Sequence, residues 1–244
     1  MILLDCGNSQ IKGQYWRGRN MQDAYFHDYQ DGWEDALASW LTEQGASRCY
    51  LASVLDADRQ QKLDRVLAQF FEGGATRLLT QPEALGVTNG YARPEQLGVD
   101  RWLALLAAAD IVDGDCMVID AGSAITLDLL RGDGTHLGGA ILPGCNTSLE
   151  TFKRIFSHID FTDPQIEDCE DPGISTPAAI QIDYTQSSLE NLSDLVNRWM
   201  TRLQHDPTIL LAGGDAYRVQ RELDQPTRIV PDLVFRGMQR MANA

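Results

Sequence analysis

The feature that most constrains the fold is a short pattern that occurs twice: an apolar run, an aspartate, one variable residue, a glycine and then small or polar residues. The first copy reads Ile-Leu-Leu-Asp-Cys-Gly-Asn-Ser over residues 2–9, and the second reads Met-Val-Ile-Asp-Ala-Gly-Ser-Ala over 117–124. Each copy predicts a strand that ends near the aspartate, a tight turn and a second strand. One copy is also typical of ordinary turn chemistry. Two copies at the starts of similar halves favour an internal duplication.

The residues of these two turns suit one kind of ligand. Small side chains let backbone N–H groups approach a bound group closely, as loops that bind phosphate require. The candidates in the first copy are Asp5, Cys6, Gly7, Asn8 and Ser9. Those in the second copy are Asp120, Gly122, Ser123 and Ala124. The pattern therefore predicts a duplicated phosphate-binding unit.

Hydrophobic periodicity predicts a similar series of elements in both halves, and hence an α/β chain with domains at 1–113 and 114–244. In the first half we expect helices at 33–45 and around 63–70, and strands at 11–17, 23–29, 49–54 and 77–79. In the second half we expect strands at 125–131, 135–141, 209–211 and 228–230. Helices are expected from about 146, over 177–204, after 214 and at the end of the sequence. A polar loop with proline at 160–172 departs from the repeat.

The charge balance limits the partners. With 20 basic and 35 acidic residues, the formal net charge is −15. Nucleic acids and anionic membranes are bound largely through Lys and Arg, so we expect neither as a partner. The same charge repels nucleotides, so an ATP site in this chain would need metal ions to offset the field.

The cysteines and the apolar runs indicate the compartment. The five cysteines form no C-x-x-C pair, which favours reduced thiols in a cytosolic protein over a zinc site. Asp5 interrupts the first apolar run, and no run approaches the roughly 18 apolar residues of a membrane span. We therefore expect a cytoplasmic protein that does not cross a membrane.

A helix predicted over 96–112 begins with an unusual pair of charges. Asp100 and Arg101 stand side by side just ahead of a stretch rich in Ala and Leu, and Tyr91 and Gly98 precede them. One interpretation is an acid that caps the helix beside a solvated arginine. The other is a general base beside an arginine that binds an anion.

Five short motifs in one order carry a resemblance to a known family. They are D-x-G-N-[ST] from residue 5, G-x-D-R from 98, D-x-G-[ST]-A from 120, G-G-x-x-x-P-G from 138 and G-G-D-A from 213. In order and spacing they resemble the type III pantothenate kinases of the acetate and sugar kinase/Hsp70/actin superfamily. The resemblance implies two duplicated ribonuclease-H-like (actin-like ATPase) domains with ATP in a central cleft, and a homodimer. It also implies ATP-dependent phosphorylation of pantothenate to 4'-phosphopantothenate, the first step of coenzyme A biosynthesis.

The resemblance also implies roles for single residues. Asp100 would be the catalytic base that takes the proton of the alcohol. The pantothenate pocket would include Tyr91, Gly98, Val99, Asp100 and Arg101, together with Thr176 from the partner subunit. Gly213 and Gly214 would bind the adenosine of ATP. Asp5 would bind Mg2+, and Asp120 would bind a monovalent cation, K+ or NH4+.

Several alternatives stay open at this point. Gly213 and Gly214 are also typical of a helix start that needs glycines for close packing, and Thr176 could simply begin the long helix. Lys12 could neutralise phosphate, although an exposed strand lysine is the simpler interpretation. Residues 151–158 depart from the family pattern, which leaves any substrate contact of that helix open. Two alternative functions remain. The chain could be another small-molecule kinase of the superfamily, or a regulatory accessory protein that kept the fold.

Overall fold

The computed structural model describes residues 1–160, 175–203 and 206–244, which form two compact units. The first unit contains residues 1–111, 134–137 and 232–244, and the second contains 112–133 and 138–231. The domain division at residue 113 stays a prediction, and the first unit also includes two short segments from the second half of the chain. Most of the predicted loop at 160–172 lies outside the described residues.

The first unit is built on a five-stranded mixed sheet in the order β3-β2-β1-β4-β5. Its strands are β1 (Ile2–Cys6), β2 (Gln10–Arg17), β3 (Asn20–Asp28), β4 (Cys49–Ser53) and β5 (Thr76–Arg77). The first three pair antiparallel, whereas β1, β4 and β5 run parallel. The carboxyl ends of β1, β4 and β5 therefore share one edge, where open α/β sheets commonly bind ligands.

Three helices of this unit are α1 (Trp33–Gln44), α2 (Ala57–Phe70) and α3 (Val99–Ile111). The predicted helical spacing is confirmed in α1, where Leu37 and Trp40 are buried in one cluster with Leu4, and Gly45 ends the helix in the left-handed conformation. The sequence did not predict the two-residue strands β6 (Glu83–Ala84) and β7 (Val87–Thr88). Strands this short carry no periodicity.

The second unit repeats the sheet of the first. Its strands are β8 (Cys116–Ala121), β9 (Ala124–Leu130), β10 (His136–Pro143), β11 (Thr208–Ala212) and β12 (Thr227–Ile229). The order is β10-β9-β8-β11-β12, which matches the first sheet strand for strand. Strands β8 and β9 pair antiparallel, while β8, β11 and β12 run parallel. The predicted α/β duplication is confirmed.

The remaining helices are α4 (Cys145–Ile155), α5 (Thr176–Met200), α6 (Ala216–Glu222) and α7 (Leu233–Ala242). Helix α5 was predicted to reach Gln204, but it ends at Met200, and Gln204 lies outside the described residues. No helix in the described ranges combines the length and the apolar character that a membrane span needs.

Helix α7 belongs to the first unit and packs on α3. Gly237 lies so close to α3 that a Cβ there would clash with the carbonyl oxygen of Leu103. Arg240 donates to the carbonyl oxygen of Leu106 and pairs with Asp110 at 3.3 Å. These contacts fix α3, whose first turn carries Asp100.

Candidate functional site

The turn after β1 is the first predicted phosphate turn. Asp5 is half-buried near the end of the strand, whereas the side chains of Asn8 and Ser9 are exposed. The N–H of Gly7 donates to the carbonyl oxygen of Gln10 at 3.0 Å and closes the turn. The turn thus presents small, exposed residues directly beside a strand-end carboxylate, as the sequence predicted.

Neighbouring elements hold this turn through its carbonyl groups. Nη1 of Arg59 donates to the carbonyl oxygen of Asn8 at 2.7 Å. The backbone N–H of Tyr29 donates to the carbonyl oxygen of Ser9 at 3.3 Å. The guanidinium of Arg59 also lies over the ring of Tyr29, 5.1 Å from its centroid. Cys6 is fully buried, and burial raises the pKa of its thiol well above the usual value. Cys6 therefore packs as a neutral core residue under the turn.

The turn after β8 is the second predicted phosphate turn, and it is one residue shorter. Asp120 is half-buried, Ser123 and Ala124 are exposed, and the N–H of Gly122 donates to the carbonyl oxygen of Ala124 at 3.0 Å. Four residues lie between the last paired positions of β1 and β2, and three lie between the last paired positions of β8 and β9.

The two glycines that follow β11 differ from each other. Gly213 has φ +88°, and a Cβ there would clash with the carbonyl oxygen of Ala121 and lie 2.5 Å from Oδ1 of Asp120. The local backbone therefore requires glycine at 213. Gly214 is exposed, and a Cβ there would meet no atom within 4 Å. The packing alternative considered for this pair explains Gly213 but leaves Gly214 without a structural reason.

Asp100 is the second residue of α3 and is half-buried. Its Oδ1 accepts a hydrogen bond from the backbone N–H of Arg101 at 2.8 Å. A Cβ on Gly98 would lie only 2.5 Å from the same oxygen, so glycine at 98 leaves room for the carboxylate. The position in the first turn also places a negative charge where the helix dipole favours it.

Arg101 is buried to 7% exposure, which contradicts the interpretation of a solvated arginine. Its Nη1 donates to the hydroxyl of Tyr91 at 3.0 Å, and its guanidinium lies 5.7 Å from the centroid of that ring. Tyr91 stacks on His136 with 5.9 Å between ring centroids, and Nδ1 of His136 accepts from the N–H of Gly90 at 3.4 Å. A buried cation is therefore fixed beside Asp100 by aromatic side chains.

A cavity of about 340 Å³ lies in the first unit next to this cluster. Gly98 and Val99 form part of its wall, and the last residue of β4 and the segments that follow β4 and β5 contribute Ser53, Val54 and Thr80. The structure thus brings together Tyr91, Gly98, Val99, Asp100 and Arg101 around the start of α3. Thr176 is exposed and is the first residue of α5 in the second unit.

Three residues near the predicted site were missed or set aside by the sequence analysis. His136 is nearly fully buried under Tyr91, and no local pattern marks it. Arg59 reaches the first turn from a helix some fifty positions away in the sequence. Lys12 is half-buried rather than exposed and stands opposite Asp5 in the β1–β2 register, which puts both on one face of the sheet. Strand pairing was the signal that could have found Lys12.

The donor atoms at the two aspartates suit the cations that the resemblance implies. Asp5 and Asp120 offer half-buried carboxylate oxygens, and hard cations such as Mg2+ and K+ prefer oxygen ligands. Mg2+ is usually bound by one or two carboxylates together with substrate phosphates. Among the described side chains, Cys6, Cys49 and Cys116 are free and buried thiols within strands.

Comparison with solved structures defines the class of protein. A Sinorhizobium meliloti protein provisionally named 2-dehydro-3-deoxygalactonokinase aligns with a TM-score of 0.60 at 15% identity, over 99% of this chain and 95% of that one. The activator of 2-hydroxyisocaproyl-CoA dehydratase from Clostridium difficile, solved with bound ADPNP, aligns with a TM-score of 0.51 at 12% identity, over 100% and 97%. The fold is that of the actin-like ATPases and kinases.

Sequence comparison gives the family within this class. The sequence profile described as type III pantothenate kinase matches residues 1–198. A type III pantothenate kinase from Pseudomonas aeruginosa is 37% identical over 249 aligned residues, which cover 98% of this chain and 97% of the relative. The chain belongs to the type III pantothenate kinases, which phosphorylate pantothenate with ATP and a metal ion in coenzyme A biosynthesis.

Proposed function

We propose that this chain transfers the terminal phosphoryl group of ATP to the primary alcohol of pantothenate, with Asp100 as the base that takes the alcohol proton. The observation that carries the proposal is the half-buried Asp100 carboxylate, which adjoins the buried Arg101 at the start of α3. A positioned base of this kind typically contributes about 10²- to 10⁴-fold to the rate. Most of the remaining catalysis of phosphoryl transfer comes from positioning and charge neutralisation.

Pantothenate is proposed to bind around the start of α3. Arg101 is held by Tyr91 and would present a fixed guanidinium, whose planar fork suits carboxylate recognition. Gly98 and Val99 already form part of the wall of a cavity, and glycine at 98 leaves room for the Asp100 carboxylate. Thr176 is proposed to complete the pocket of the partner subunit in a homodimer.

ATP is proposed to use both turns and the glycine pair. Backbone groups of Cys6, Gly7, Asn8 and Ser9, and of Gly122, Ser123 and Ala124, would approach the phosphates. Gly213 and Gly214 would let adenosine lie against bare backbone. The exposed Gly214 supports this assignment, since the protein itself does not need a glycine there.

Asp5 is proposed to hold Mg2+ with the ATP phosphates, and Asp120 is proposed to hold K+ or NH4+. These cations would neutralise phosphate charge, which a chain with a net charge of −15 otherwise repels. We place the reaction in the cytoplasm, where the buried free thiols would stay reduced.

A turnover assay with ATP, Mg2+ and pantothenate tests the proposal. We expect 4'-phosphopantothenate from the unaltered protein. Asp100→Asn should lower kcat by at least about 100-fold while ATP binding is kept. Asp113→Asn is the control, because this exposed residue follows the other end of the same helix. Unchanged turnover by folded Asp100→Asn would remove this residue from the mechanism.

The shared site can be tested with mixed dimers. Asp100→Asn and Thr176→Phe should each be impaired when pure. In a mixed dimer, one site would carry both changes and the other neither, so exchange of subunits should restore up to one intact site. If Thr176 only begins α5, the mixed dimer should show the average of the two pure variants, which would reject the shared site.

A further inference from the structure

Arg59 binds the first phosphate turn from the third position of α2. Its Nη1 donates to the carbonyl oxygen of Asn8 at 2.7 Å, and its guanidinium lies over the Tyr29 ring. Asp56, which caps α2 by accepting from the backbone N–H of Arg59 at 3.0 Å, also approaches Nε at 3.7 Å. The Tyr29 ring and the Asp56 carboxylate therefore orient this guanidinium toward a backbone carbonyl of the turn.

Thr147 does the same for the second turn from the third position of α4. Its Oγ1 donates to the carbonyl oxygen of Ser123, which also accepts from the backbone N–H of Gly144 at 3.2 Å. The two helices are not duplicates of each other, since α2 follows the fourth strand of its sheet and α4 follows the third. The same contact therefore arises from different places in the two repeats, which indicates a requirement of the turns themselves.

The physical reason lies in the charge of the turn. A carbonyl oxygen carries negative partial charge and repels a phosphate, whereas backbone N–H groups attract one. A donor that binds the carbonyl from outside the turn offsets its charge and fixes the peptide orientation. A guanidinium offsets more than a hydroxyl, because hydrogen bonds to charged groups are roughly twice as strong as neutral ones.

We propose that Arg59 and Thr147 are positioning residues for ATP, which act through the carbonyl oxygens of Asn8 and Ser123. This inference rests on the proposed function, since it assumes that the two turns bind the phosphates. Neither side chain is assigned a contact with substrate. Both should therefore affect the KM for ATP and leave that for pantothenate nearly unchanged.

Arg59→Met is compared with Arg65→Met, which removes the same charge from the same helix. Arg65 is exposed, and among the described residues its Nη2 donates to Gln61, one turn away on α2, at 3.0 Å. Arg59→Met should raise the KM for ATP by about 10- to 100-fold, the range expected when a charged hydrogen bond is lost. Arg65→Met should change it by less than about twofold. Arg59→Lys, which keeps the charge but loses the fork, should fall between them.

Thr147→Val is compared with Thr151→Val, one turn later on α4, where the hydroxyl donates to the carbonyl oxygen of Thr147 at 2.8 Å. Thr147→Val should raise the KM for ATP by about 3- to 10-fold, as expected for a neutral hydrogen bond. Thr151→Val should leave it unchanged. The affinity for ATP with Mg2+, measured by calorimetry, should change in parallel for every variant.

The outcomes separate this inference from the proposed function. If the unaltered protein does not phosphorylate pantothenate, the proposed function fails. If it does, but Arg59→Met and Thr147→Val keep the ATP parameters of their controls, the positioning role is wrong. Equal rises in both KM values, together with a lower Tm, would mean a structural role only and would also overturn the inference. Should Arg59→Met not fold, Arg59→Lys and Thr147→Val decide the question.

Discussion

The two units share one strand order but differ where their fourth strands end. In the ladders, Ala52 pairs with Asp5 and Ala212 pairs with Asp120, so Ser53 and Gly213 occupy equivalent positions. Ser53 carries a side chain that donates to Oε1 of Gln60 at 2.6 Å, whereas Gly213 has no room for a Cβ. The first unit therefore fills this edge with side chains, and the second leaves bare backbone.

The difference fits the proposal that the two copies of the fold contribute different parts of one site. Both copies kept the strand-end aspartate and the turn. The first surrounds its edge with Ser53, Val54 and the start of α3, which carries the proposed base, Asp100. The second offers the glycine pair that we assign to adenosine. Each of the following changes tests whether the two edges do different work.

The largest expected effect comes from replacing the equivalent strand-end aspartates, Asp5 and Asp120. Asp5→Asn should lower kcat by about 100-fold or more and raise the Mg2+ concentration needed, because a preorganised charge next to the phosphates is lost. Asp120→Asn should lower kcat by about 10-fold and abolish any stimulation by K+ or NH4+ over Na+. Initial rates under titration of each cation check both expectations. Identical cation profiles for the two variants would break the comparison, as would equal rates of the unaltered protein in K+ and Na+.

The next largest effect is expected when the equivalent residues at the ends of the two fourth strands, Ser53 and Gly213, are replaced by each other's type. Gly213→Ser should lower the free energy of unfolding by about 3 kcal/mol, since it adds a Cβ at φ +88° against the Ala121 carbonyl oxygen. It should also raise the KM for ATP. Ser53→Gly loses the Gln60 hydrogen bond and a longer one that Oγ accepts from the backbone N–H of Leu55 at 3.4 Å, and it should cost about 1 kcal/mol with an unchanged KM for ATP. Denaturant unfolding measures the free energy of unfolding of both variants, and steady-state kinetics measure their KM for ATP. Equal losses of stability in the two variants would mean that the two strand ends do not differ.

The smallest effect concerns one buried thiol in each unit. Burial raises the pKa of Cys49 in β4 and of Cys116 in β8 from 9.0 to about 12. The unfolded thiols ionise first, so stability is kept below pH 9 and is lost progressively as the pH rises toward 12. Each thiol should account for about 1.4 kcal/mol of the loss between about pH 8 and pH 10. Cys49→Ala and Cys116→Ala should each reduce that loss equally in denaturant titrations, whereas an unaltered pH dependence would contradict a neutral folded thiol.

Much of the fold could be predicted from the sequence because its signals are local. The apolar run before Asp120 and the alternation after Ala124 predicted β8 and β9, and the spacing of Trp33 and Leu37 predicted α1. Trp199, Met200 and Leu203 continue the apolar spacing past the end of α5, so its last turn was placed too far along the chain. The pair β6 and β7 was missed because Leu85 and Gly86, with φ of 52° and 83°, form its turn without an apolar alternation on either side.

The cluster around the start of α3 could be predicted because its residues are close in the sequence. Tyr91, Gly98, Asp100 and Arg101 lie within one short segment, and the structure brings them together around α3. The interpretation of Arg101 as solvated failed because burial depends on partners such as Tyr91 and His136, and His136 comes from another part of the chain. Arg59 was missed for the same reason, because its contact joins α2 to the turn after β1 and cannot be predicted from sequence spacing.

The place of α7 affects how the chain can fold during synthesis. The first unit contains residues 1–111 but also 232–244, whereas the second is made entirely from 112–133 and 138–231. The ribosome must therefore add the whole intervening stretch, on the order of ten seconds at about 5 to 20 residues per second, before α7 can cover α3. Until then the apolar surface around Leu103 and Leu106 lacks its helix. The N-terminal unit is begun first and finished last, so nascent chains that stop before residue 232 would be the ones that chaperones bind there.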